Sequence, residues 1–351
     1  MSQSIVSQDK PQIYHLTFIR FIAAMVIVFH HFAVEREQPI FPFNKSVVLF
    51  EVFKGGFIGV SFFYVLSGFI MVYAYGSRPG KLNKKEFWIM RFARIYPMHL
   101  LTFLVLFLLP AYVSTWLNAP SVTFQLTLTQ AWSYAYRHSY NWPAWSLSVE
   151  MFFYMIFPFL LGYFKKMSLK NMLIFIGIFW VVSMLRQVFF PIIKFPLPLL
   201  HVNSFLVGMG SGFIYNLRRP FISAQLLKIL IPSLIVIICV MATQYEIAVL
   251  NTGLLSPLFA AFILFFAWSK GFFSRLFSNP FFVLMGDISY SIYIIHWSFW
   301  VIYVRKVHLF TNSMIQFYAY VGALLLLAYI SYEFIENPIR LWVKKTIKKT
   351  N

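Results

Sequence analysis

Arg20, His31, Glu150 and His296 stand inside long apolar runs of a 351-residue chain. An ionisable group at membrane depth costs about 3 kcal/mol or more unless it is paired or hydrated, so these positions are the first places to look for chemistry. His30 and, nearer the ends of such runs, His99, Arg186, His201, Asp287 and Glu333 complete the set. Arg20 and His31 are eleven residues apart. At 100° per residue a helix brings them within about 20° of one another, on one face and about 16.5 Å apart along the axis. His30 points about 100° away, which singles out His31 for any mechanism that also uses Arg20. Glu150 follows Trp142 by eight residues, about 12 Å below the opposite end of its own run, so a carboxylate and an imidazole reach similar depths. Such a pair can act as a general-base unit: the ring takes a proton from a substrate hydroxyl while the carboxylate orients it and stabilises the imidazolium. Each group also has a plainer use. A transmembrane histidine such as His31 or His296 can serve only to hydrogen-bond a neighbouring helix, and Glu150 can be a structural partner of an arginine or histidine.

The elements that must position these groups follow from composition. The chain is 60% hydrophobic, 21% aromatic and only 11% charged, with a mean hydropathy of +0.74. Soluble domains carry about 25% charged residues, so a soluble globule is excluded. The apolar residues fall in long blocks, not in the roughly 10-residue alternating segments of an outer-membrane barrel, and helices must then satisfy the backbone within lipid. At about 20 residues per crossing, the sequence predicts an all-α integral membrane protein with ten spans at residues 15–34, 55–75, 96–116, 142–164, 172–190, 199–217, 227–243, 248–268, 281–302 and 313–334.

A net charge of +19 would point to nucleic acid in a soluble protein, but here it records orientation. With the N-terminus inside, 21 of the 29 Lys and Arg collect on the cytoplasmic side and 7 on the outer side, so both termini are expected in the cytoplasm. The densest group, Arg78, Lys81, Lys84, Lys85, Arg91 and Arg94, follows the second span and reads either as a topology signal or as a grip for phosphate. Trp132, Tyr134, Tyr136 and Tyr140 read as an interfacial belt, with sugar stacking as the alternative. The single cysteine, Cys239, allows no internal disulfide, and no metal-ligand spacing is visible. The first run lacks a small-residue cleavage site and is read as an uncleaved span. No repeat or low-complexity stretch marks a boundary. One membrane domain is expected over residues 1–351, with a cytoplasmic N-terminal segment at 1–13 and a basic cytoplasmic tail at 340–351.

Several segments together resemble the acyltransferase 3 family, membrane acyltransferases that modify bacterial surface glycans. Arg20 and His31 match its arginine, ten residues, histidine motif. Gly59, Val60, Phe63, Ser67, Gly68 and Phe69 are similar to its glycine-rich segment, and Arg91, Arg94, Ile95, Tyr96 and Pro97 to its basic entry to the third span. Trp145 to Glu150 match a WSLSVE segment. Ser289, Tyr290, Ser291, Tyr293 and His296 resemble an SYxxYxxH run, and Glu336, Pro338 and Arg340 the closing motif. The resemblance implies a bacterial inner-membrane enzyme that uses a cytoplasmic acyl-CoA, usually acetyl-CoA, as donor substrate, with no permanently bound cofactor. It implies a hydroxyl of a surface or lipid-linked glycan as acceptor. The expected catalytic pair is His31 and Glu150; Arg20, Arg91, Arg94, Lys84 and Lys85 are expected to bind the donor; Ser67, Tyr64, Trp145 and His296 are candidates for substrate or oxyanion contacts. Partners would be acyl-CoA, the saccharide and membrane lipid, with no nucleic acid. Ser61 stands where many members have aspartate, so that carboxylate's role does not carry over. No extracytoplasmic hydrolase-like domain of the SGNH type accompanies the sequence, and a stand-alone member would complete the transfer itself or use an extracytoplasmic partner. The competing reading is a multi-span transporter or flippase of a glycan or anionic solute, with the same charges along a pathway; the missing repeat speaks against it.

Overall fold

A computed structural model describes residues 12–34, 41–43, 46–109, 115–190, 195–218, 220–244, 250, 252–306 and 313–350. Among these residues the secondary structure is helical throughout, with no strand. The long helices are α1 (Tyr14–Val34), α2 (Val47–Lys54) running through a tight turn at Gly55–Phe57 into α3 (Ile58–Tyr75), and α4 (Lys84–Phe107). A short α5 (Ala119–Leu126) follows, then α6 (Trp145–Phe164), α7 (Leu169–Phe189), α8 (Val202–Leu217) and α9 (Ala224–Gln244). The chain closes with α10 (Ser256–Trp268), α11 (Phe272–Phe277), α12 (Pro280–Asp287), α13 (Ser289–Lys306), α14 (Ser313–Ser331) and α15 (Asn337–Thr350).

Seven stretches of the described residues are long and apolar enough to cross a membrane: Tyr14–Val34, Val47–Tyr75, Lys84–Phe107, Trp142–Phe164, Leu169–Phe189, Ala224–Gln244 and Met314–Ile347. The chain is therefore a multi-pass, all-α membrane protein. The expected ten equivalent spans are not all found. The sixth is the 16-residue α8, the eighth the 13-residue α10, and the ninth is divided between α12 and α13. The reason is position: α8 and α10 bury most of their residues against other helices. A helix surrounded by protein need not match the length or apolarity that lipid contact demands. By contrast α7 and α9 leave most of their apolar side chains on the outside, which suits contact with acyl chains.

At the centre, α3 and α8 pack at backbone distance. A Cβ on Gly208 would lie 2.0 Å from the carbonyl oxygen of Val65, so only glycine admits this approach. The same device brings α12 onto α1, where a Cβ on Gly286 would sit 2.1 Å from the Thr17 carbonyl oxygen. That approach sets Asp287 beside the N-terminal half of α1. Pro158, inside α6, leaves the Tyr154 carbonyl without its helical donor; the Trp88 indole of α4 donates to it at 3.0 Å, tying the two helices together.

Candidate functional site

A cavity of about 410 Å³ opens where the N-terminal half of α1, the C-terminal half of α3, the start of α4, α6 and the junction of α12 and α13 converge. It falls within the ~300–1,000 Å³ of small-molecule sites. Arg20, Arg91, Arg94 and Arg340 line it together with Glu150, Asp287 and Glu336. Among the described residues, neither Arg20 nor Arg94 donates a hydrogen bond, and neither has a carboxylate within 4 Å; the ion pair found at that distance is Lys54 with Glu51, elsewhere. Two guanidinium groups thus face the cavity with their fork donors unspent. A planar fork is the shape that phosphate and carboxylate oxygens match in pairs.

The carboxylates are held separately. Glu150 accepts from the Tyr154 hydroxyl at 2.5 Å, one helical turn on, and from Ser67 Oγ of α3 at 3.4 Å. Glu336 is 3% exposed and accepts from Ser291 Oγ at 3.1 Å. It sits in a single π-helical turn, Tyr332–Glu336, between α14 and α15; such turns store a local departure from the regular ladder and often mark functional positions. Arg340 Nη2 donates to the Asn337 side chain at 2.8 Å.

Deeper in the cavity three hydroxyls gather. Ser146 Oγ and the Tyr293 hydroxyl share a 2.7 Å hydrogen bond, both reach the Pro143 carbonyl (2.9 and 3.1 Å), and the Tyr64 hydroxyl donates to the Ser146 carbonyl at 3.5 Å. Tyr293 joins this layer to the next, because its ring lies 5.9 Å from that of His296. Beyond it are two histidines in contact: the rings of His31 and His296 are 5.2 Å apart, with the Trp297 ring 5.3 Å from His31. From Trp297 the aromatic contacts run to Trp300 at 5.1 Å and to Trp142 at 5.2 Å, and from Trp142 to His138 at 4.9 Å.

The expected donor-binding residues divide. Arg20, Arg91 and Arg94 line one cavity, whereas Lys84 and Lys85 are exposed at the start of α4, where Lys84 lies over the Phe159 ring at 4.0 Å. Ser67 and Tyr64 line the cavity too; Trp145 instead lies against His201, ring centres 5.6 Å apart. His31 and Glu150 are not brought together. Glu150 belongs to the arginine layer and His31 to the histidine layer, and no hydrogen bond joins them. Depth along two helices fixes only one coordinate, and the rotation of α6 turns Glu150 toward Ser67 of α3. His30 makes a separate contact: its Nδ1 donates to the Lys54 carbonyl at 2.7 Å, pinning α1 to the end of α2. Tyr154, Ser146, Tyr293, Asp287 and Glu336 come from four separate segments of the chain, and spacing along the sequence does not join them into one lining. A signal was present for Tyr154, four residues after Glu150 and so on its face. Among the described residues no group of three His, Cys, Asp or Glu is arranged to hold a metal ion.

Fold and site together define a multi-pass helical membrane protein built around an arginine-rich cavity, with a pair of histidines in contact behind its Tyr293 wall. The chain belongs to the acyltransferase 3 family, whose acyltransferase domain matches residues 13–333. It is 25% identical over 322 residues to the peptidoglycan O-acetyltransferase OatA of Listeria monocytogenes, covering 82% of this chain and 52% of the relative. It is 28% identical over 332 residues to the O-acetyltransferase OatA of Staphylococcus aureus, covering 82% and 53%, and 32% identical over 165 residues to the acyltransferase MdmB of Streptomyces mycarofaciens, covering 45% and 41%. The chain thus spans about half the length of the curated relatives it matches. No solved structure matches it.

Proposed function

We propose that this domain moves an acetyl group from acetyl-CoA, bound in the arginine cavity, to a hydroxyl of a cell-envelope glycan, with His31 as general base. The observation that carries the donor assignment is the pair of unpartnered guanidinium groups, Arg20 and Arg94, facing one cavity with Arg91 beside them. CoA supplies the phosphates such groups grip, and its extended pantetheine arm reaches past the arginines toward the layer of Tyr64, Ser146 and Tyr293. Those hydroxyls are the nearest donors for the oxyanion that forms when the acceptor oxygen attacks the thioester carbonyl. His31 takes the acceptor's proton as the new C–O bond forms; the C–S bond then breaks and the departing thiolate receives that proton. The names of the OatA relatives support acetyl as the group and an envelope polysaccharide as the acceptor.

The same reading sets the domain in the bacterial inner membrane as a single unit with both termini and the Arg78–Lys85 loop in the cytoplasm, where acetyl-CoA is made. The asymmetry of basic residues supports that orientation, and the segments at α8, α10 and α12–α13 complete ten passes. Mass spectrometry of the host's envelope glycans, with and without this gene, tests the proposal: a loss of one acetyl per modified sugar on deletion, restored by the intact gene, is expected. Unchanged glycans together with no binding of acetyl-CoA to the purified protein would overturn it.

A further inference from the structure

His296 is 1% exposed, and its Nδ1 donates to the Tyr293 carbonyl at 2.6 Å. A carbonyl can only accept, so Nδ1 carries the hydrogen and Nε2 of the neutral ring is left with a lone pair. That Nε2 is buried and has no hydrogen-bond partner. A buried acceptor without a donor costs about 1–3 kcal/mol and calls for a reason. The rings in contact with His296 are those of Tyr293, whose hydroxyl is already engaged with Ser146 and Pro143, and His31. Around His31 the other titratable groups are His30, committed to the Lys54 carbonyl, and His138, while the carboxylate of Glu150 is held by Tyr154 and Ser67.

We propose that His296 is the positioning residue of the general base: once the acceptor hydroxyl sits against one nitrogen of His31, the N–H on the other nitrogen of that ring is donated to His296 Nε2. This rests on the reading of His31 as base and supplies what the carboxylate was expected to provide. Neutral His31 needs only one N–H. Directed at the orphaned acceptor, that N–H fixes the ring so that the opposite nitrogen takes the acceptor's proton and later gives it to the thiolate, and the bond strengthens while the ring is charged. The bond is worth more to the charged ring than to the neutral one, which places its contribution in the turnover step and not in donor binding.

The test uses the full chain in membrane vesicles of its host, with labelled acetyl-CoA and the endogenous glycan as acceptor. His296→Ala should lower kcat about 100-fold, within the range of a lost proton-handling group, while KM for acetyl-CoA stays within about twofold of the unaltered chain. His296→Gln, whose amide nitrogen can still donate to the Tyr293 carbonyl while its oxygen accepts from His31, should recover about tenfold of that loss; His296→Phe, of similar bulk but with no acceptor, should not. If the alanine variant fails to accumulate, glutamine against phenylalanine decides the matter. Alanine within about threefold of the unaltered chain, or glutamine no better than phenylalanine at equal membrane levels, overturns the pairing. Absence of transfer by the unaltered chain overturns the functional reading on which the pairing rests, a separate and recognisable outcome.

Discussion

His30 and His31 are neighbours in sequence with different work. His31→Ala should abolish glycan acetylation while the protein still inserts. His30→Ala should retain at least about a third of the activity and lower stability by about 1 kcal/mol, the net worth of its bond to the Lys54 carbonyl; glycan acetyl content and thermal inactivation of the two variants measure both effects. In the arginine layer, Arg94→Gln should raise KM for acetyl-CoA about tenfold or more, because a guanidinium matched to phosphate oxygens is worth about 1.5–3 kcal/mol. An unchanged KM would leave that arginine with only an electrostatic role toward Glu150, Glu336 and Asp287. The Glu150 carboxylate and the Tyr154 hydroxyl form one unit. Glu150→Gln and Tyr154→Phe should each reduce turnover, and the double variant should be no worse than the more damaged single one, as read from a complete mutant cycle.

At the scale of elements, the site depends on helices that approach closer than side chains allow. Gly208→Val would drive its Cβ into the Val65 carbonyl and its neighbours. It should cost the α3–α8 interface about 3 kcal/mol, at the upper end of overpacking penalties, and the loss of folded protein on heating in detergent should show it directly. The consequence for function is indirect, since α3 carries Tyr64 and Ser67 into the cavity from this interface. Trp88→Phe removes the indole donor that meets the Tyr154 carbonyl freed by Pro158. It should loosen α6 against α4 at the turn that presents Tyr154 to Glu150.

For the whole molecule, the layers form a sequence of environments: exposed basic side chains at the head of α4, four arginines with three carboxylates, a cluster of hydroxyls, two histidines and then a run of indoles. An anionic donor and a polyhydroxylated acceptor would meet such an ordering from opposite ends. Orientation is measurable with single cysteines. In a Cys239→Ser background, a cysteine at Ser77 should react with a membrane-impermeant thiol reagent only when the cytoplasmic face is accessible, and one at Ser133 only from the outside; the reverse pattern would invert the proposed topology.

Composition and block length were enough to establish helices in lipid, because the cost of unsatisfied backbone in hydrocarbon leaves few alternatives. The eleven-residue spacing of Arg20 and His31 likewise put both on one face of one helix, since helical periodicity is a local property. Three matters lay beyond such local rules. The difference between the ten expected spans and the seven described stretches long and apolar enough to cross lay in tertiary packing, because burial by protein, as at α8 and α10, relaxes the requirements that lipid imposes. The partner of His31 was expected to be Glu150, at matched depth, but depth is one coordinate and helix rotation another. Only the packing of α13 against α1 set His296 beside His31, and only the packing of α6 against α3 gave Glu150 to Ser67. Which side chains share a cavity is decided by contacts between segments distant in sequence, and those follow from backbone approaches such as Gly208 on Val65 and Gly286 on Thr17, where a single absent Cβ sets the distance between helices.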